Sequence, residues 1–413
     1  MKEKRTLNKN WSVICLVNLF IASILGVIMR YKMIYALPDI NQGNVLNAHG
    51  HFVFQGWITL VLFSCFIVYI VPEDKQSKQS YIIQFWLMEL SAFGMLVTFF
   101  LYGYNVLSIA FSALSQFAFY WFAVQFFLDL RKVKISWIVK GFSIAAIIAA
   151  LISSLGPYAL AYFSITGRGS PIVTRGSGYY YLHFQYNGWF SFGVFALFFQ
   201  WLDRKKIHFN AKSINLIFIL FIIGLIPGYA LSLIGYINKF WVYTCSWFAI
   251  VTQLLAIIIL VKEIWKNKTL ILVRLFPITQ YLWGVALLSL LVKSIFQALS
   301  LHPDLAIVAF SLRPLVIGYL HLIFICFVSF FLIGYLIQHF KFQFATSMFA
   351  KSGLLLFSFF SILNEILLFL QAFGYYFSFH YPKIPKYLLW VTLLMFLSLL
   401  LFLIGQFKKN LKE

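Results

Sequence analysis

Three histidines stand inside apolar stretches of the chain at nearly even intervals: His51, His183 and His321, which are 132 and 138 residues apart. Imidazole is expensive to place in hydrocarbon, so a histidine in a membrane segment is a candidate functional group by default. Its ring nitrogens are the commonest metal ligands in proteins and also bind haem iron. The spacing therefore predicts a repeated architecture in which imidazoles converge on one bound group.

The first two of these histidines open a shared seven-residue signature. It reads HFVFQGW from His51 and HFQYNGW from His183, with four identical positions and two similar pairs, Phe/Tyr and Gln/Asn. Each copy stands near the start of an apolar run, which favours a common structural role. The alternative is that each histidine only forms a hydrogen bond to a neighbouring helix, as polar residues in membrane bundles often do.

His49 is a second candidate ligand in the first copy. Two residues correspond to about 200° of helical rotation, so His49 and His51 cannot both face one metal. Gly56 follows His49 by seven positions, which predicts that it shares the face of His49 two turns deeper and lets a flat macrocycle approach the backbone. Four neighbouring aromatic side chains could form the walls of such a site: Phe54, Trp57, Tyr186 and Trp189. Three others could orient an imidazole by a hydrogen bond: Gln55, Asn187 and Tyr319.

The elements that must position these residues are membrane helices. Hydrophobic residues make up 62% of the chain and charged residues 10%, whereas soluble domains carry about 25% charged residues. Apolar runs of membrane-spanning length begin near Trp11, Ala48, Tyr81, Val106, Ile135, Gly178, Ser213, Phe240, Leu275, Pro314, Gly353 and Tyr387. We therefore predict an all-α, single membrane domain of twelve helices.

The histidines recur on the second, sixth and tenth of these runs. This predicts three pseudo-repeats of four helices each, over residues 11–134, 135–274 and 275–408. A start at Gly178 places His183 about one turn into its helix, and all the histidines are expected in the outer half of the membrane.

The net charge of +21 is a topology signal. Of the Lys and Arg residues in loops, 22 lie on one set of alternate loops, and the other set holds only Arg30, Lys32, Arg168, Arg175, Lys239, Lys383 and Lys386. Because cytoplasmic loops are enriched in basic residues, both termini are predicted in the cytoplasm. The basic charge follows the topology, so the expected partner is the lipid bilayer and not nucleic acid. We expect a bacterial inner membrane and no cleavable signal peptide. The four scattered cysteines argue against a disulfide framework, a zinc site or a c-type haem.

Other polar residues in apolar surroundings add candidates. Lys293 and Arg313 stand near the outer side, where they could bind carboxylates such as haem propionates, or could snorkel toward headgroups. Glu89 and Glu365 lie well inside their runs and could conduct protons or act as structural hydrogen-bond donors. The Gly-rich stretch 166–178 reads as an outer loop, which either closes over the site or is a plain surface loop.

Twelve helices with histidines on the second, sixth and tenth resemble the catalytic subunit of haem-copper oxidases and nitric-oxide reductases. The segments similar to that family are NAHGHF at 47–52, YYLHFQYNG at 180–188 and YLH at 319–321. The resemblance implies a low-spin b-type haem held by His321 and a histidine of the second helix. The family pattern favours His49, whereas the internal repeat aligns His51 with His183.

The chain also departs from that pattern. Its seventh run, IIGLIPGYA at 222–230, lacks the family's two adjacent histidines, and Asn187 replaces the glutamate of the reductases. Tyr319 stands where the family has the proximal histidine of the high-spin haem. His183 alone cannot build a copper site. We therefore expect an incomplete dinuclear centre without copper, and a role in electron transfer or in handling or sensing nitric oxide or oxygen.

Whether the chain is an oxidoreductase stays open at this point. It has no soluble domain, so an electron-donor protein or second subunit would come from another chain. A different class is a polytopic transporter, or a polymerase or flippase of lipid-linked polysaccharide, without haem; that class leaves the repeated histidine motif unexplained. A third is a structural or chaperone subunit of a respiratory complex that has lost its cofactors.

Overall fold

The computed structural model is helical, without strands, over the residues that it describes: 2–131, 133–339, 342, 347–378 and 381–407, with backbone alone at 2–9 and 164. Five of the basic residues counted in the loops lie outside them: Lys132, Lys341, Lys408, Lys409 and Lys412. Ten described helices are long and apolar enough to cross a membrane. The prediction of an all-α, multi-pass membrane protein is therefore confirmed at the level of fold class.

The helices are labelled in chain order. They are α1 (Lys2–Lys32), α2 (Gln42–Tyr69), α3 (Gln79–Tyr102), α4 (Val106–Leu130), α5 (Trp137–Ser153 and Leu155–Thr166), α6 (171–204), α7 (Ala211–Leu225), α8 (Phe240–Lys266), α9 (Pro277–Leu299), α10 (Arg313–Gln338), α11 (Met348–Tyr376) and α12 (Ile384–Phe407). Short helices occur at Glu73–Lys75, Pro227–Ser232, Lys268–Val273 and Pro303–Ser311. Helices α6 and α7 are not among the ten that are long and apolar enough to cross a membrane.

The chain forms two compact units. The first unit comprises residues 1–133 and 332–413, and the second comprises residues 134–331. In the first unit, α3 packs on α4, α1 packs on α2 and α12, and α11 forms a close pair with α12. In the second unit, α7 packs on α8, and α5 packs on α6.

A carboxylate ties the third helix to the fourth in each of the first two predicted repeats. Near the end of α4, Asp129 accepts bonds from Lys75 and Lys78 at 2.8 and 2.9 Å, just before α3 begins. Near the end of α8, Glu263 accepts from the Asn210 N–H at 3.1 Å and the Ser213 hydroxyl at 2.8 Å, at the start of α7. The same device thus recurs at matching places in the two units.

Two of the histidine-bearing helices begin earlier than predicted. Helix α2 starts at Gln42, where the Asn41 side chain accepts from the N–H groups of Gly43 and Asn44. Helix α6 starts at Pro171, with Ser170 as its cap. The expected loop over 166–178 is therefore wrong beyond Ser170, since proline at the first position and a serine cap start a helix despite the glycines. His183 consequently lies twelve residues, about three turns, into α6 rather than one.

Candidate functional site

All three histidine-bearing helices change their winding within two residues after His51, His183 or His321. The backbone becomes π-helical over Val53–Thr59 in α2, over Phe184–Phe190 in α6 and over Leu322–Ser329 in α10. In soluble globular proteins, well under 1% of residues are π-helical, and π-helical segments are frequent at functional sites. The three segments place a shared irregularity beside each histidine that the sequence singled out.

A hydroxyl residue stands eight positions after each of the three histidines. Thr59 and Ser329 are the last residues of their π-helical segments, and Ser191 directly follows its segment. The Ser191 hydroxyl donates to the Tyr186 carbonyl at 2.6 Å, and the Ser329 hydroxyl donates to the Phe324 carbonyl at 2.6 Å, five residues back in both cases. Such side-chain bonds satisfy carbonyls that the altered winding leaves available. This histidine-to-hydroxyl spacing, which includes His321, was not among the sequence predictions.

The spacing to the following helix is also regular. Helices α3, α7 and α11 begin at Gln79, Ala211 and Met348, which are 28, 28 and 27 residues after His51, His183 and His321. The division of the chain into three pseudo-repeats stays a prediction, and this regularity supports it.

The ring of His49 is oriented by a hydrogen bond to a neighbouring helix. It is partly buried, and its Nδ1 lies 3.0 Å from the Ala22 carbonyl of α1. A carbonyl can only accept, so Nδ1 carries the proton and donates it. The lone pair of the neutral ring then lies on Nε2. Histidines that bind metals usually donate their other N–H in this way, which fixes the tautomer and the ring orientation.

His51 contacts a different helix. Its ring stacks on Phe99 of α3, with 4.4 Å between ring centroids and 4° between planes, and Tyr104 lies edge-on at 6.4 Å. The two histidines of α2 therefore point to different neighbours, as their two-residue separation requires. The flat stack buries one face of the His51 imidazole against an apolar ring.

Gly56 does not lie open to a flat ligand. A Cβ atom at this position would lie 3.0 Å from the ring of Phe52, which covers the glycine from the same helix. The winding changes at Val53, so a seven-residue spacing no longer puts His49 and Gly56 on one face. Contact of Gly56 with a macrocycle would require Phe52 to change rotamer. The Gly56 carbonyl accepts from the Asn18 amide at 2.7 Å.

His183 uses both of its ring nitrogens. Its Nε2–H donates to the Leu225 carbonyl at 2.7 Å, and its Nδ1 accepts from the Asn187 amide at 3.1 Å. The Leu225 carbonyl is available because the chain leaves the α-helical path before Pro227, where the Tyr229 N–H bonds to Ile226 instead. Coordination of a metal by His183, as predicted from the sequence, would cost one of these bonds.

Lys293 belongs to the same buried network. It is 4% exposed, and its ammonium donates to the Asn187 Oδ1 at 2.6 Å. We expected this lysine at the outer surface, bound to a propionate or reaching the headgroups. The finding differs because Lys293 lies six residues before the end of α9 and faces Asn187 of the π-helical segment in α6.

The remaining candidates lie at the start of α10. Arg313 is exposed at its first residue, and His321 follows eight residues later and is partly buried. Tyr319 is partly buried, and its ring lies edge-on to that of Tyr186, 6.4 Å between centroids. Ligation of haem by His321 and pairing of Arg313 with a propionate stay predictions.

The two carboxylates predicted inside the bilayer both lie in the first unit. Glu89 is 7% exposed and accepts from the Asn18 amide at 2.8 Å. Glu365 is 4% exposed and accepts from the Asn364 amide at 3.0 Å. Each therefore has an amide donor, which suits a structural role, and proton conduction stays a prediction.

Within the described part of the chain, no three His, Cys, Asp or Glu side chains cluster closely enough to hold a metal ion. No protein-family model matches the sequence, and no curated protein matches it significantly. The interpretation of the site therefore depends on the geometry of its own residues.

Proposed function

We propose that this chain is a multi-pass membrane protein that binds a b-type haem through His49, with His321 as the second axial ligand. The choice of His321 comes from the sequence. The observation that supports the proposal most directly is the bond from His49 Nδ1–H to the Ala22 carbonyl, which leaves the Nε2 lone pair for iron. His51, stacked on Phe99, is assigned no ligand role.

A bound haem would supply one-electron redox chemistry, and two imidazole ligands would close its iron to small molecules. Electron transfer is therefore the preferred role, ahead of turnover or sensing of nitric oxide or oxygen. The Ala22 carbonyl would hold the imidazole of His49 in one orientation, and Arg313 is the proposed partner of a haem propionate. His183 is held by Leu225 and Asn187, which supports a chain without a complete dinuclear centre.

The finer topology belongs to the same proposal. We propose twelve spans in three repeats over 11–134, 135–274 and 275–408, with both termini in the cytoplasm of a bacterial inner membrane. Helices α6 and α7 supply the two spans beyond the ten that meet the length and hydropathy criteria. The common π-helical segments and the matching Asp129 and Glu263 bonds support the repeats. An electron-donor protein or second subunit would be the partner.

Spectra of the purified protein test the haem. We expect a sharp low-spin alpha band on reduction of protein prepared from haem-replete membranes, and its loss in His321→Ala. The control is His302→Ala, because His302 is an exposed residue before a short helix. A colourless wild-type protein that is fully folded would reject the proposal.

Metal analysis of the same preparation provides a separate prediction. We expect iron at the stoichiometry of the haem and no stoichiometric copper, because α7 has no histidine and both nitrogens of His183 already have partners. Elemental analysis by mass spectrometry measures both metals. Stoichiometric copper would show that the dinuclear centre is present after all.

A haem-free polytopic transporter is the second candidate, and it includes a carrier of lipid-linked polysaccharide. It is favoured by the interruption of α7 before Pro227, beside the buried pair of Asn187 and Lys293. Transporters often bind substrates at discontinuous helices with buried ionisable residues. A folded protein without an alpha band would favour this candidate.

A further inference from the structure

Among the described residues, the buried ammonium of Lys293 has no opposite charge beside it. It has three N–H donors, and one of them meets the neutral Asn187 Oδ1 at 2.6 Å. Among the described residues, no carboxylate lies within ion-pair distance of it. Because burial of an unpaired ammonium is costly, a bound anion would stabilise this site.

Asn187 and His183 cannot rearrange to supply a second acceptor. Asn187 donates its amide to His183 Nδ1, and His183 donates Nε2–H to the Leu225 carbonyl. Every donor in this series points away from Lys293, and rotation of the Asn187 amide would face two donors, ammonium and amide, against each other. The orientation of Asn187 is therefore determined by its partners, and it offers Lys293 its oxygen alone.

Gln297 adds a second polar group with an unmet requirement. It is 7% exposed, and its Oε1 has no hydrogen-bond partner among the described residues. Gln297 follows Lys293 by four residues in α9, so the two side chains are neighbours on one helix face. The oxygen and nitrogen of a glutamine amide are assigned from their partners, so this amide can present its N–H₂ group to a ligand.

We propose that Lys293 and Gln297 bind a small planar oxyanion of the formate or nitrite type inside the unit 134–331. Such an anion has two oxygen atoms, one for the ammonium and one for the amide, and its charge balances the ammonium. Asn187 and His183 act as positioning residues that hold the ammonium. The site lies wholly within the second unit and does not depend on haem binding by His49.

Anion-dependent stability tests this proposal. The full-length protein is purified in detergent, and sodium formate or sodium nitrite replaces sodium gluconate at constant ionic strength. We expect a saturable rise in the unfolding midpoint for the wild type, and none for Lys293→Met. Lys140→Met is the matched control, since Lys140 is a partly buried lysine of α5 in the same unit, and it should keep the full response. No saturable response in the wild type, or an equal one in Lys293→Met, would overturn the proposal.

Haem-free and haem-loaded preparations distinguish a free anion from a porphyrin propionate. Equal formate responses in both preparations would support the small-anion site. A response that haem loading removes would assign the ammonium to the cofactor and overturn it.

Asn187→Asp keeps the test decisive if Lys293→Met does not fold. The substitution places a carboxylate beside the ammonium, and His183 can take a second proton to donate to it. We expect a higher midpoint than the wild type in gluconate and formate binding weakened by about tenfold or more. An unchanged formate response in Asn187→Asp would show that the ammonium is not the binding group.

Discussion

Replacing His49 with alanine should remove the low-spin alpha band, whereas replacing His51 with phenylalanine should preserve it. His49 is the histidine whose Nδ1–H bond to Ala22 leaves Nε2 free to ligate iron, and His51 is stacked on Phe99. Loss of groups that only orient a ligand already costs about 10–100-fold in metal affinity, so loss of the ligand itself should cost at least as much. Reduced-minus-oxidised spectra at equal protein concentration measure the effect.

His51→Phe is the matched control for this experiment because it keeps a flat aromatic ring against Phe99 and removes only the ring nitrogens. Both variants lie on α2, two residues apart, so a general disturbance of this helix would affect them alike. Loss of the band in His51→Phe with retention in His49→Ala would reverse the assignment and favour the ligand that the internal repeat suggests.

The structure separates two histidines that the sequence could not. A separation of two residues established that His49 and His51 face different directions, but it did not establish which direction faces α1. That depends on how α1 packs, since the Ala22 carbonyl is the acceptor that orients one of the rings. A hydrogen bond between residues 27 positions apart has no signature in local composition.

The helices were predictable because hydrophobic runs of membrane length have few alternatives. The starts expected near Val106 and Phe240 coincide with those of α4 and α8. Hydrophobic composition did not predict the start of a helix whose first turn holds polar or small residues, as in α6. There, Ser170 as the cap and Pro171 at the first position were the better signals.

The altered winding could not be read from hydropathy. A π-helical segment depends on which carbonyls find another donor, and in α6 and α10 those donors are the hydroxyls of Ser191 and Ser329. Serine and threonine are both common in membrane helices. The signal therefore exists only as the spacing of eight residues between each histidine and a hydroxyl residue. The contact between Lys293 and Asn187 likewise joins residues 106 positions apart.

Gly353→Ala should destabilise the first unit strongly, because α11 and α12 pack backbone against backbone at this residue. A Cβ atom there would lie 2.7 Å from the Ser398 carbonyl oxygen and 2.8 Å from the Leu401 carbonyl carbon, and it would also contact the Phe402 nitrogen. No rotamer change can relieve a contact with backbone, so the helices must separate. Overpacking typically costs about 1–3 kcal/mol, and we expect the upper part of that range.

Gly284→Ala is the control for this prediction, because Gly284 is an exposed residue of α9 and a Cβ there would meet no atom within 4 Å. It gains the helix propensity of alanine, about 1 kcal/mol over glycine, at no steric cost. Reversible unfolding in mixed detergent micelles should therefore show opposite shifts for the two variants. A helix pair in lipid gains its stability from the close packing that small residues such as glycine permit. Equal stability of Gly353→Ala and Gly284→Ala would therefore show that α11 and α12 do not approach each other closely at Gly353.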